Sequence, residues 1–470
     1  MKLLFIFPST GKFYLDPGAH DTHVHNPSSA YLPPLGLLYI GRMAEQQGHS
    51  VEIIDYTAEA FNEAALQRAI HSSDAVGMTI FSEPAELENS IEIAKKIRQY
   101  APDIPLILGG PHCNFFPEQA LRDHHADICV RGEGEYIIGP VVEALEGKRD
   151  LSTIPGLVYQ QKDKICTNEL QPPIMDLDQI PFPARHLVEK YEYGYTFGTK
   201  IMKGKVTSLI SSRGCPNRCT FCQLSSSLAK FRSRSAANTI QEIDELVSNG
   251  HNSIAFADDN FLANKKAAEQ IMDHIIKQRY DLRIWILDTR VDSAERHLYE
   301  KMRDAGVELI SFGIESGNQD VLDFYNKKIT VEQARKAVKL SKEMGFVADA
   351  NFILGAPFET KKHFENTIRF ARSLPLDHAL FNRLEYLAGT PLWKEAVKQG
   401  KIDPSESVVM SDKQRGLALY DAKEIEKYCT KAYYSFYFNP WYWLREIRYA
   451  LSHRNITFIQ LGLRMLLKKY

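Results

Sequence analysis

Three cysteines crowd into one short stretch, Arg213-Gly214-Cys215-Pro216-Asn217-Arg218-Cys219-Thr220-Phe221-Cys222. A C-x3-C-x2-C spacing delivers three soft thiolate ligands from a single loop. A structural zinc ion wants four protein ligands, commonly from two separated pairs. No second pair exists, because Cys113, Cys129, Cys166 and Cys429 are scattered singly. Three thiolates fit instead a [4Fe-4S] cube with one iron left open, and an open iron can chelate an amino and a carboxylate group of a substrate. Seven cysteines in 470 residues are too few, and too odd in number, for a disulfide scaffold, so a reducing, cytoplasmic compartment is expected.

The elements that must position this loop are strands alternating with helices. Strands are predicted at Val206 to Ser211, Ser253 to Ala257, Arg283 to Leu287, Leu309 to Ile314, Ala348 to Leu354 and Ala379 to Leu384. Helices fill the intervals, as at Ala236 to Ser248, Lys265 to Arg279 and Val331 to Met344. Units of this kind make a partial barrel with its site at the carboxyl ends of the strands, and the cysteine loop follows the first strand.

Upstream, five short apolar runs (Leu3 to Phe7, Val51 to Asp55, Ala75 to Ile80, Leu106 to Gly109, Asp127 to Val130) alternate with helical segments, a doubly wound Rossmann-like pattern. The fold class is therefore α/β. Its expected parts are a Rossmann-like domain over 1–150, a connector over 151–205 with a hairpin at Gly156 to Lys164, a partial barrel over 206–385 and a helical, aromatic segment over 386–470. Ligands of open sheets sit at the strands' carboxyl ends. There the chain carries Tyr31 to Gly36, Gly109-Gly110-Pro111-His112 and Arg131-Gly132-Glu133-Gly134-Glu135. Glycines at strand ends either admit a flat ligand to the backbone or merely serve turns. Neither G-x-G-x-x-G nor G-x-x-x-x-G-K-[ST] is present, so a nucleotide fingerprint is lacking and another large planar ligand is open.

Lys+Arg 57 against Asp+Glu 59 excludes a broadly nucleic-acid-binding chain, and 44% hydrophobic residues exclude a disordered one. No apolar run approaches the roughly 18 residues of a spanning helix, and Leu3 to Phe7 is too short for an export signal.

The cysteine spacing at a strand end resembles the radical S-adenosylmethionine superfamily, and the three N-terminal loops resemble the cobalamin-binding domain that precedes many of its enzymes. The resemblance covers roughly residues 1 to 385. It implies a [4Fe-4S] cluster on Cys215, Cys219 and Cys222, with S-adenosylmethionine against Phe221, Asp259, Arg290, Glu315, Ser316 and Gly355. For Phe221 an ordinary core place is the alternative, and for Arg290 a pairing with an acid. Two adjacent acids, Asp258 and Asp259, call for a cationic partner. Cobalamin is implied against Pro34, Gly36, Gly109, Gly110, His112 and Gly132. Asp21-Thr22-His23-Val24-His25-Asn26 misses the cobalt-ligand motif D-x-H-x-x-G at its last position, so His23 is read as a loop histidine.

By this resemblance the enzyme is a methyltransferase acting on an unactivated carbon of a small molecule or lipid, served by an external flavodoxin- or ferredoxin-like donor. The alternatives are a cyclase or ring-rearranging enzyme without net methylation, and a non-catalytic cobalamin sensor or carrier. No catalytic acid or base is assigned. From Trp441 to Tyr470 six Lys/Arg face the single acid Glu446. With Phe458, Leu461, Met465 and Leu466 this tail is read either as a helix packed on the barrel or as a basic amphipathic helix on an anionic membrane.

Overall fold

The computed structural model describes residues 1–8, 31–162, 164–196, 199–226, 230–453, 456–457, 459–460 and 462–463. His23, Phe458, Leu461, Met465 and Leu466 lie outside them. The chain forms two compact units, Met1–Gly198 and Thr199–Tyr470.

The first unit is built on seven strands: β1 Lys2–Phe7, β2 Ser50–Asp55, β3 Ala75–Thr79, β4 Leu106–Gly109, β5 Ile128–Val130, β6 Leu157–Gln161 and β7 Lys164–Thr167. Their order is β2-β1-β3-β4-β5-β6-β7. The first five pair in parallel, and β1 is buried at Leu3, Leu4, Phe5 and Ile6, as a strand covered by helices on both faces must be. Chain order reverses between β1 and β3, so the crevice at their carboxyl ends is where such a sheet takes a ligand.

The expected connector is not separate from this unit. Its hairpin is β6 and β7, which add antiparallel to β5. The stretch that follows turns back onto the sheet: the Ala184 amide donates to Leu38 O at 3.1 Å, Arg42 Nε to Phe182 O at 3.0 Å, and the Tyr193 hydroxyl to Asp55 at 2.9 Å. The boundary therefore falls at Gly198, beyond the 150 expected, because strand edges and buried carboxylates recruit these residues as partners.

The second unit holds six parallel strands in chain order, Val206–Leu209, Ser253–Phe256, Arg283–Thr289, Val307–Glu315, Val347–Leu354 and His378–Arg383. Consecutive strands are neighbours throughout, which gives the partial barrel. The helix Ala236–Ser248 starts where Ser235 accepts from Asn238 N, and Lys265–Gln278 is capped likewise by Asn264. Beyond the barrel the segment is mainly helical, with Ala422–Tyr437 and Pro440–His453. No helix among the described residues is long and apolar enough to cross a membrane.

Candidate functional site

The cysteine loop hangs between the first barrel strand and the top of the fourth. Its backbone is tied at several points: Thr220 N donates to Tyr325 O at 2.9 Å, Asn326 Nδ2 to Arg218 O at 2.7 Å, Leu392 N to Thr220 O at 3.0 Å and Gln223 Nε2 to Ala388 O at 3.1 Å. Phe221 packs edge-on to Tyr325 with ring centroids 5.0 Å apart, at the margin of a core cluster. The loop's course is thus set by the fold rather than by a metal.

Cys219 is buried, while Cys215 and Cys222 are half-buried. Desolvation raises the Cys219 thiol, against the pull of Lys327 and Arg290, and pushes Cys222 up to about 11. Thiolates there need a cationic counterweight, which both iron and these two side chains supply. Among the described residues no three donor side chains converge on one metal ion. The donor set and its cationic surroundings fit the cluster.

The remaining strand ends surround this loop with charge. Asp258 is fully enclosed and accepts from Ser211 N, Ser211 Oγ and Ser212 Oγ, so it fastens the second strand's exit to the first. The expected cationic partner is not what satisfies it. Asp259 takes Gly214 N at 2.7 Å and is raised by desolvation, with Arg232 and Arg213 opposing. At the third strand, Leu287 and Asp288 occupy the space opposite the single Ser311, a bulge that re-aims Asp288. Asp288 is open to solvent yet hemmed in by protein, the position of a group lining a concavity, and desolvation beside Asp259 carries it up to about 7.

Arg290 is buried and binds Asp292 through Nε at 3.0 Å and Nη2 at 2.9 Å, with Nη2 also donating to Lys327 O at 2.6 Å. Its Nη1 is left without a partner. The acid-pairing alternative is therefore realised, and one donor remains for a carboxylate. A second bulge, at Ile314, precedes Glu315, which sits at φ +69. Strain of that kind in a residue with a Cβ costs about 1–3 kcal/mol and persists where surroundings enforce it. The enforcement is an ion pair, Lys327 Nζ to Glu315 Oε1 at 2.5 Å, both side chains buried. A Cβ on Gly313 would stand 2.5 Å from Glu315 Oε1 and 2.7 Å from Lys327 Nζ, so glycine there makes room for the pair.

Two of the expected contacts have partners within the fold. Ser316 is fully buried, its hydroxyl 3.2 Å from Thr367 Oγ1 and accepting from Asn318, so it supports the turn. Gly355, at φ +109, would bring a Cβ within 2.5 Å of Ser411 Oγ, and its amide donates to Glu359 Oε2 at 2.7 Å. Glu359 also accepts from Ala356 N at 2.8 Å and shapes the whole turn. Sequence reading missed Lys327 and Glu359, because neither stands in a motif.

In the first unit the glycines divide. Among the described residues Gly109 would meet nothing within 4 Å of an added Cβ, and the same holds for Gly36. Gly132 is exposed at φ +80, its amide held by Asn114 Oδ1 at 2.7 Å. Gly110 differs. At φ +101 its Cβ would lie 2.7 Å from Ile80 O, so glycine there permits the close approach of two strand ends. Pro34 is buried and begins a helix, its carbonyl accepting from Leu38 N at 3.1 Å. His112 is buried too, with Nδ1 3.1 Å from Ser82 Oγ and Nε2 unpartnered, and desolvation lowers it to about 4. Glycine-lined strand ends with one imidazole nitrogen that has no partner among the described residues fit a large flat ligand such as a corrin.

Residues 209–371 match the Radical SAM superfamily, and residues 26–141 match the B12 binding domain. The chain is 31% identical over 478 residues to an uncharacterised methyltransferase of Pyrococcus horikoshii, spanning 100% of this chain and 99% of the relative. It is 30% identical over 394 residues to the anaerobic magnesium-protoporphyrin IX monomethyl ester cyclase of Rubrivivax gelatinosus, spanning 81% and 67%. Among solved structures it is similar to the radical S-adenosylmethionine methyltransferase TsrM of Kitasatospora setae with cobalamin and a [4Fe-4S] cluster bound, at TM-score 0.66 and 19% identity over 85% of this chain and 75% of that one. It is likewise similar to the cobalamin-dependent enzyme OxsB, at TM-score 0.69 and 17% identity over 98% and 72%. At such identities these two likenesses concern the fold.

Proposed function

Because the chain belongs to the radical S-adenosylmethionine superfamily, among its members with a B12 binding domain, we propose that it transfers a methyl group to an unactivated carbon of a small molecule or lipid. The observation that carries this reading is the end-to-end correspondence with a methyltransferase, Cys215, Cys219 and Cys222 standing at the first barrel strand's exit. The cofactors are a [4Fe-4S] cluster, S-adenosylmethionine and cobalamin; bound, they supply an electron, a radical precursor and a methyl carrier.

The chain's own residues do the positioning. The three thiolates would hold the cluster, and the hydrogen bonds of the loop backbone to Tyr325, Asn326, Ala388 and Leu392 position them. Lys327 and Arg290 offset their charge. Arg290 Nη1 and Asp259 receive the carboxylate and amino ends of a methionine moiety, Gly355 and Ala356 shape the turn beside it, and Phe221 presents a ring edge. Open backbone at Gly36, Gly109 and Gly132 accepts the corrin by shape. We place the enzyme in the cytoplasm, drawing electrons from an external flavodoxin- or ferredoxin-like protein. Ring closure without net methylation is the second reading, favoured by the 30% identity to a cyclase.

Anaerobic turnover with S-adenosylmethionine deuterated in its methyl group tests both. Label appearing in an extracted metabolite or lipid supports methyl transfer, and 5'-deoxyadenosine without transferred label supports the cyclase. Cys219→Ala should abolish 5'-deoxyadenosine while leaving the far-ultraviolet circular dichroism unchanged. Wild-type rates in that variant would overturn the cluster assignment.

A further inference from the structure

The helix Pro440–His453 has two apolar faces. One is spent: Tyr442, Glu446 and Ala450 are buried, the Tyr442 ring lies 5.2 Å from Tyr437 and 5.4 Å from Phe436, and Trp443 Nε1 donates to Tyr437 O at 2.7 Å. Arg445 donates to Leu376 O as well, so the helix is fixed against the second unit. The other face points outward. Trp441, Leu444, Ile447 and Leu451 recur at three- and four-residue steps, within an arc of about 120° on an α-helix. Trp441 is 75% exposed and Leu451 76%, and Phe438, 64% exposed, extends the stripe into the preceding turn. Scattered exposed apolar residues are ordinary; a contiguous stripe on a well-anchored helix marks a surface made to be covered.

The charges choose the occupant. Arg448 is exposed on the same arc. Six Lys/Arg lie between Trp441 and Tyr470, and the single acid there, Glu446, is turned inward and buried. By sequence this stretch is therefore basic, its one acid is not offered to solvent, and among the described residues Arg448 is an exposed cation. A second copy of the chain docking by two-fold symmetry would bring two such basic stretches together. A bilayer with acidic headgroups accepts both features at once, rings and aliphatic chains entering its interface while the cations meet phosphates.

We propose that this outward face of Pro440–His453, with Phe438, seats the enzyme on an anionic membrane surface. The face differs from the one sequence reading singled out, which placed the apolar contacts farther along at Phe458 to Leu466. Full-length protein should sediment with vesicles of mixed phosphatidylcholine and phosphatidylglycerol at low salt and be released at high salt. Replacing Trp441 and Leu451 together by Ser should weaken binding by roughly tenfold or more, with the melting temperature unchanged because both side chains project into solvent. Phe438→Ser gives an independent variant should the first lose stability. Equal binding to pure phosphatidylcholine, or no binding at low salt, overturns the proposal. So does a wild-type dimer on light scattering that the same substitutions convert to monomer, which would assign the face to a second copy. None of these readouts depends on turnover.

Discussion

At the carboxyl ends of β3 and β4 the first unit presents glycine backbone, a serine and one imidazole, and the charges beyond β5 are turned to backbone partners, Arg131 to Asn168 O and Glu133 to Ile174 N; around the ends of the barrel strands the second presents Asp259, Asp288, Arg290, Glu315 and Lys327. Both sets sit where parallel sheets place ligands, yet they are built on opposite physics. The N-terminal surface works by subtraction, leaving out side chains so that backbone is reachable over a wide area. The barrel works by addition, importing charges into a low-dielectric place and holding them with bulges, an ion pair and a strained backbone position. A broad, uncharged ring suits the first and a small zwitterion the second.

The largest expected effect lies in the barrel. Lys327→Met would leave Glu315 buried without its partner, and breaking a buried pair from one side costs about 3–5 kcal/mol. Denaturant midpoints should fall accordingly, and 5'-deoxyadenosine formation with them, because Lys327 also offsets the Cys219 charge. Adding Glu315→Gln should recover most of the stability. If the single variant is as stable as wild type, the barrel's charges are not held in the way the ion pair implies.

The second effect separates two adjacent glycines. Gly109→Phe adds a Cβ that meets no described atom within 4 Å and a ring on the side offered to the ligand, so corrinoid absorbance after reconstitution should be lost with little change in stability. Gly110→Ala should act the other way, lowering stability by about 1–3 kcal/mol through φ +101 and the Ile80 carbonyl. Identical behaviour of the two variants would erase the distinction between an open and a packed strand end.

The same contrast governs what sequence could reveal. Helices and barrel strands were legible nearly to the residue, Ala236–Ser248 in full, because hydrophobic period and N-caps are local. The cysteine loop was legible because its chemistry is written in spacing. Gly110 and Gly109 read alike in sequence, since only the neighbouring β3 end tells them apart. Ser316 supports a turn through Thr367 and Asn318, and Lys327, which no motif singles out, is the counter-ion of Glu315. The docking of β6, β7 and Tyr193 onto the first sheet rests on pairings that no local pattern announces.

The smallest effect is one of pH, with opposite signs in the two units. His112 is lowered from its ordinary value to about 4 by burial, so between pH 6.5 and 4 the unfolded chain binds a proton that the folded one refuses. Its contribution is present above pH 6.5 and is lost as pH falls through that window. Glu359 is raised by burial to about 7, against the amides of Ala356 and Gly355. There the folded state holds the proton, so stability is present below the ordinary carboxylate range and is lost as pH rises towards and through 7. Each group spans at most about 3 kcal/mol, at 1.36 kcal/mol per unit. His112→Gln should flatten the acid limb of a pH–stability profile and Glu359→Gln the limb between pH 4.5 and 7, where Gln reproduces the protonated carboxyl and its bonds to Gly355 and Ala356. Denaturant melts across that range would measure both slopes. A common sign for the two would mean that burial does not suppress the charged form at one of these two groups.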